Sequence, residues 1–123
     1  MNHKELIDLA RKKVGLFTLG QNGSAGSVAA ALLTKSNNLY TGICIDLPSG
    51  IGFCAEHAAI SEMLKNRETE IEMIVAVTDN KIYSPCGRCR EMLYQINNKN
   101  LKAKIIISEE EIITLEELLP FRN

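Results

Sequence analysis

The sequence predicts a layered α/β fold in one domain over residues 1–123. Three observations carry that prediction. Stretches of helical and of strand periodicity alternate through the middle of the chain, which argues for parallel strand pairings. Met73-Ile74-Val75-Ala76-Val77 lacks polar alternation, as a strand buried on both faces does. Ala55 to about Arg67 repeats small alanines at helical spacing, suited to close packing on a sheet. With 46% hydrophobic residues, the chain can build a core without disulfide staples.

From Lys4 to about Phe17, Leu6, Ala10, Val14 and Phe17 recur every three to four residues, which predicts an amphipathic first helix. Gly20 to Gly26 reads as a polar, glycine-bearing loop, and it lacks the lysine and hydroxyl of a P-loop. Val28–Leu33 and Leu39–Ile45 read as strands of a hairpin around Lys35-Ser36-Asn37-Asn38. Leu47–Gly52, with Pro48, Gly50 and Gly52, is a loop leading to Cys54 and the helix after it. Ile71–Val77 is the buried strand. After the turn at Asp79-Asn80-Lys81, Pro85 fits the start of a helix with Cys89, Met92, Leu93 and Ile96 on its apolar stripe. Lys104–Ile107 is a further strand, Glu109-Glu110-Glu111 a solvated turn, Ile112 and Ile113 a short strand, and Leu115–Leu119 a helical turn stopped by Pro120.

Charge narrows the possible partners. Fourteen Lys and Arg stand against fifteen Asp and Glu, so no strong field gathers phosphates and a nucleic acid polymer is not expected. No apolar run approaches the roughly 20 residues of a membrane span, and Met1–Glu5 lacks the apolar core of a signal peptide, so the reading is a cytoplasmic protein without a membrane partner. In a reducing compartment its four cysteines point to metal or redox chemistry rather than two disulfides.

Two short motifs hold three of those cysteines. Cys54-Ala55-Glu56 and Pro85-Cys86-Gly87-Arg88-Cys89 each open a predicted helix. Three thiolates, split as one plus a pair, suit a catalytic Zn²⁺ that keeps its fourth position for water. Both groups sit at helix N-termini, where unpaired N–H groups and the helix dipole favour thiolates. Zinc lowers the pKa of water from 15.7 towards about 7, and Glu56, two residues past the first ligand, is placed to carry protons during attack on an amino-bearing ring carbon. A structural zinc closed by His57 as fourth ligand is the plainer alternative, as is a regulatory domain that kept the metal without turnover. His57 could instead donate to a cysteine sulfur. Cys44 reads as a small buried hydrophobe, and His3 as a solvated side chain near the terminus. Arg88 and Arg90 could offset thiolate charge or bind an anionic substrate group, although a surface pairing with a nearby acid is the commoner fate of such side chains.

These motifs give the sequence a resemblance to the cytidine deaminase family, above all its small all-cysteine branch and the blasticidin S deaminases. CAE at Cys54–Glu56, SPCGRCRE at Ser84–Glu91, AALLT at Ala30–Thr34, TG at Thr41-Gly42 and LEELLP at Leu115–Pro120 carry it, in family order across nearly the whole chain. The resemblance implies a three-layer α/β/α sandwich with a five-stranded mixed sheet, one zinc per subunit, and a homotetramer with shared active sites. It also implies a small-molecule substrate, a cytidine-like nucleoside or aminopyrimidine, contacted by backbone groups of Ala55 and Ser84. The family's ribose-binding Asn and Glu correspond by position to Cys44 and Asp46. Where an aromatic often precedes the first strand, Gly26 stands here, implying a barer or differently shaped pocket, and His57 replaces the Arg that many all-cysteine members carry after CAE.

Overall fold

The computed structural model describes residues 1–122 of the chain. Its first helix begins where Asn2 can cap it. Asn2 Oδ1 accepts from the Glu5 N–H at 2.8 Å, while the Glu5 carboxylate accepts from the Asn2 N–H at 2.9 Å. This helix, α1 (His3–Arg11), ends earlier than its apolar repeat predicts. The Gly15 N–H bonds to Gly26 O at 2.9 Å, which draws the chain into the sheet, and Phe17 opens a strand instead of closing a helix.

Six further strands follow the first, β1 (Phe17–Leu19): β2 (Gly23–Thr34), β3 (Leu39–Asp46), β4 (Ile71–Val77), β5 (Ile82–Tyr83), β6 (Lys104–Ile106) and β7 (Ile112–Thr114). The helices α2 (Ala55–Lys65), α3 (Gly87–Ile96) and α4 (Leu115–Leu118) alternate with them. Gly23–Ala25, expected in a loop, therefore belongs to β2, where it pairs with β1.

The sheet has seven strands, not five, and its register explains the difference. Ala25 pairs with Phe17 of β1 on one side and Ile45 of β3 on the other, while Ala29–Leu33 pairs with β4 on one side and β3 on the other. β1 thus continues the β4 position along the edge of β2. In the same way β5 and β6 share the side of β4 that faces away from β2. Two short strands fill out existing positions and add no width. The sheet is mixed, but its parallel pairing among the described residues is β4 with β6 alone, so the parallel character expected from the alternation is confined to that pair.

Alternation along β2 sends side chains to two cores. Ala31 and Leu33 join Met73, Val75, Val77 and Ile106 beneath Leu6, Ile7 and Ala10 of α1. Ala30 and Leu32 join Ile74, Ala76 and Ile105 beneath α2, α3 and α4, which contribute Ala55, Ala59, Ile60, Met63, Leu93 and Leu115. The result is three layers, with α1 on one face and the three remaining helices on the other. The acidic turn after β6 is not merely solvated. Arg11 pairs with Glu109 at 3.0 Å, and His3, expected free in solvent, donates from Nε2 to Glu109 O at 3.0 Å. No helix of the described residues is long and apolar enough to cross a membrane.

Candidate active site

The site forms on the three-helix face, where α2 and α3 begin. Gly42 of β3 brings α2 there. A Cβ at position 42 would stand 2.5 Å from Ala58 Cβ and 2.8 Å from Ala55 O, so only glycine lets the helix lie this close to the strand. With Ala55 and Ala59 fully buried, this contact fixes the start of α2, leaving Cys54 at its N-cap and Glu56 in its first turn. Cys86 occupies the N-cap of α3, with Pro85 two residues further out than a helix-opening proline would be, and Cys89 sits inside the first turn.

The three predicted ligands converge. Cys54 Sγ lies 3.7 Å from Cys86 Sγ, which lies 3.5 Å from Cys89 Sγ, and all three sulfurs lie within 4.8 Å of one another. Sulfurs about 2.3 Å from a tetrahedral Zn²⁺ stand about 3.8 Å apart, so the spacing fits that ion. Electrostatics agree. Burial pushes the Cys89 thiol far up, helped by the Glu56 carboxylate, and burial followed by the Cys86 contact raises Cys54. Burial acts the same way on Cys86, but the backbone N–H groups of Cys89 and Arg88 and the neighbouring thiols outweigh it and lower that group. Backbone N–H groups at the start of α3 thus favour a thiolate at Cys86, while burial opposes one at Cys54 and Cys89. His57 stands outside the three-sulfur cluster, and its buried Nε2 has no hydrogen-bond partner among the described residues. It neither closes the metal site nor bonds a sulfur through that nitrogen.

A cavity of about 440 Å³ opens beside these sulfurs. Glu56, 5% exposed, faces into it, and burial raises its pKa. Ala55, Ser84, Asp46 and Cys44 line the same cavity, together with Cys54 and Cys86, while Cys89 is buried behind them. Cys44 is both buried and pocket-lining. Its sulfur stands 3.3 Å from the Val28 N–H and 3.3 Å from Ser27 Oγ, groups presented where the register of β2 slips between Ala25 and Ala29.

Among the lining residues that sequence reasoning missed are Ser27, Phe53 and Tyr83. The two rings directly precede Cys54 and Ser84, and adjacency to the motifs was the available signal. They offset the bareness expected at Gly26. That glycine has φ +86°, and a Cβ there would run into the Gly15 carbonyl, so backbone geometry excludes an aromatic. Arg90, expected to serve charge or substrate, turns away to bond Pro85 O, Leu118 O and Ser84 Oγ, whereas Arg88 lines the cavity. Burial, then the Arg88 charge, lowers the His57 pKa.

The family model for the cytidine and deoxycytidylate deaminase zinc-binding region matches residues 1–105. The chain belongs to that family. It is similar to the blasticidin-S deaminase of Bacillus cereus, 28% identical over 96% of this chain and 89% of that protein. It is similar also to the cytidine deaminase of Shewanella frigidimarina, 34% identical over 76% of this chain but only 30% of that longer protein. Among solved structures, the cytidine deaminase from Mycobacterium leprae superposes with a TM-score of 0.81 at 26% identity, covering 98% of this chain and 99% of the other. The deaminase described here is accordingly a zinc-dependent aminohydrolase whose three sulfurs fit one zinc per subunit.

Proposed function

We propose that this deaminase acts on a free cytidine-like nucleoside or related aminopyrimidine and releases ammonia by hydrolysis. The observation that carries the reading is the single cavity into which the cysteine corner, Glu56 and Asp46 all open. Cys54, Cys86 and Cys89 would hold zinc there, and when bound it supplies the Lewis acidity that makes water a nucleophile at neutral pH.

Glu56 is the proton carrier in this reading. Its carboxylate takes a proton from the attacking water and passes it to the ring nitrogen, then takes the remaining proton from the hydroxyl added to the ring carbon and gives it to the amine, which leaves as ammonia while the carbonyl forms. The raised pKa suits a group that must both accept and release a proton near neutrality. Backbone groups of Ala55 and Ser84 hold the base. Asp46 accepts from a sugar hydroxyl, and Cys44, already engaged by Ser27 and Val28, offers a weaker contact than an amide would. Leu47, Ile51 and Phe53 are exposed beside the cavity, which supports a neighbouring subunit at its mouth and a homotetramer with shared sites. The balanced charge supports a small-molecule substrate over a nucleic acid polymer, and the reading places the protein in the cytoplasm.

A second reading, a blasticidin-like antibiotic substrate, is favoured by Asp46 and Arg88, which add to the pocket, beside Glu56, an acidic and a basic side chain for a zwitterionic aminopyrimidine. Ammonia release by the zinc-loaded protein from cytidine, deoxycytidine and blasticidin S separates the readings. Turnover of either nucleoside supports the first, turnover of blasticidin S alone the second, and a silent panel at full zinc content defeats both in favour of a non-catalytic role.

A further inference from the structure

Arg90 makes three hydrogen bonds from one guanidinium, two to the loop just before its own helix and one to a segment 28 residues further on. Nε donates to Pro85 O at 2.7 Å, Nη1 to Leu118 O at 3.2 Å, and Nη2 to Ser84 Oγ at 3.2 Å. Two of these acceptors belong to the loop that delivers Cys86, and the third is a carbonyl at the end of α4, where the last turn leaves such groups without helical partners. A planar fork of fixed geometry holds such a set better than a flexible ammonium does.

The contact to Ser84 has a further chemical consequence. A guanidinium only donates, so Ser84 Oγ must accept from it, and the hydroxyl hydrogen is left to point elsewhere. Ser84 lines the cavity. We infer that Arg90 is a positioning residue, which braces the Cys86 loop against α4 and orients Ser84 as a hydrogen-bond donor to the bound aminopyrimidine. The acceptor it would meet is a carbonyl or unprotonated nitrogen of the base, or a sugar oxygen. The substrate half of this inference rests on the proposed function, whereas the metal half does not.

The test uses the full chain with Arg90→Ala, Arg90→Lys, Ser84→Ala and the Ser84→Ala/Arg90→Ala double variant. Zinc affinity is measured by competition with a chromogenic chelator, which needs no substrate, and KM and kcat on whichever aminopyrimidine is turned over. Arg90→Ala should weaken zinc by roughly 10- to 100-fold, the cost of losing a group that orients a metal ligand, with Arg90→Lys intermediate. Ser84→Ala should raise KM and leave kcat and zinc affinity unchanged, and the double variant should show a KM no higher than Arg90→Ala alone. Wild-type zinc affinity in a folded Arg90→Ala, or KM effects of the two substitutions that simply add, would overturn the inference. If Arg90→Ala does not fold, Arg90→Lys decides: wild-type zinc affinity and KM there refute the brace. Absence of turnover on every substrate sinks the proposed function while leaving the zinc readout able to support or refute the brace.

Discussion

The two helices that bring sulfur to the site are held in different ways. α2 is fixed by packing: Ala55, Ala59, Ile60 and Met63 are buried, and Gly42 lets its first turn rest on β3. α3 buries only Cys89 and Leu93 and is tied at both ends by polar groups. Arg90 fastens its start, and at its far end fully buried Asn100 accepts from the Ile71 N–H at 2.8 Å and donates to Leu93 O at 2.9 Å and Thr69 O at 3.0 Å. Steric contact fixes a position over a short range and tolerates little change. A polar tie reaches further along the chain but depends on each partner being present.

The largest expected effect lies on the packed side. Glu56→Gln keeps the volume and the burial of α2, so zinc content by metal analysis should stay at one per chain. In the proposed mechanism this removes the proton carrier, and kcat should fall by about 10²- to 10⁴-fold. Retained turnover with full zinc would mean that another group moves the proton.

Gly42→Ala tests the packing directly. The added methyl meets Ala58 and the backbone of α2, and overpacking of this kind costs about 1–3 kcal/mol. Because the strain falls on the turn carrying Cys54, zinc affinity should drop with the urea midpoint. Unchanged zinc binding in a destabilised variant would separate the helix contact from the metal site. Asn100→Ala makes the opposite comparison. It strands a buried N–H and two carbonyls at roughly 1–3 kcal/mol, but at the end of α3 remote from the cysteines, so stability should fall and zinc affinity should not.

The packed half was more legible in the sequence than the tied half. Alanines at helical spacing announced α2, and CAE with PCGRC announced the ligands, because short-range spacing encodes them. Arg90 could not be placed, since Leu118 lies 28 residues further on and nothing local links the two. The end of α1 was misread for a related reason: the apolar repeat runs on to Phe17, and the bond that stops it comes from Gly26. β1 has two exposed residues out of three and β5 has only two residues, so neither carries an alternating pattern to detect. Asp46 and Cys44 were placed in the cavity by family position, whereas Ser27 enters it through a register slip that no periodicity reports.

The smallest effect asks whether the packed helix needs a polar tie as well. Beyond the C-terminus of α2, Glu68 accepts from Tyr40 Oη at 2.6 Å and from Asn38 Nδ2 at 2.9 Å. Tyr40, followed by Thr34, holds the Glu68 carboxyl below its ordinary 4.5, and the Glu68 contact pushes Tyr40 up to about 12. A depressed carboxylate stabilises above its unfolded pKa and loses that contribution as pH falls through the folded value. A raised phenol stabilises below its unfolded pKa near 10 and loses its contribution as pH climbs towards 12. Tyr40→Phe should therefore lower the urea midpoint by a small, constant amount on the plateau between these limits. The difference should shrink in acid below pH 4.5 and again in alkali above pH 10. Both groups are solvent-screened, and the packing of α2 remains, so zinc affinity should be untouched. A loss of zinc in Tyr40→Phe would show that the sulfur carried by α2, like those carried by α3, depends on a polar tie, and the contrast between the two helices would fail.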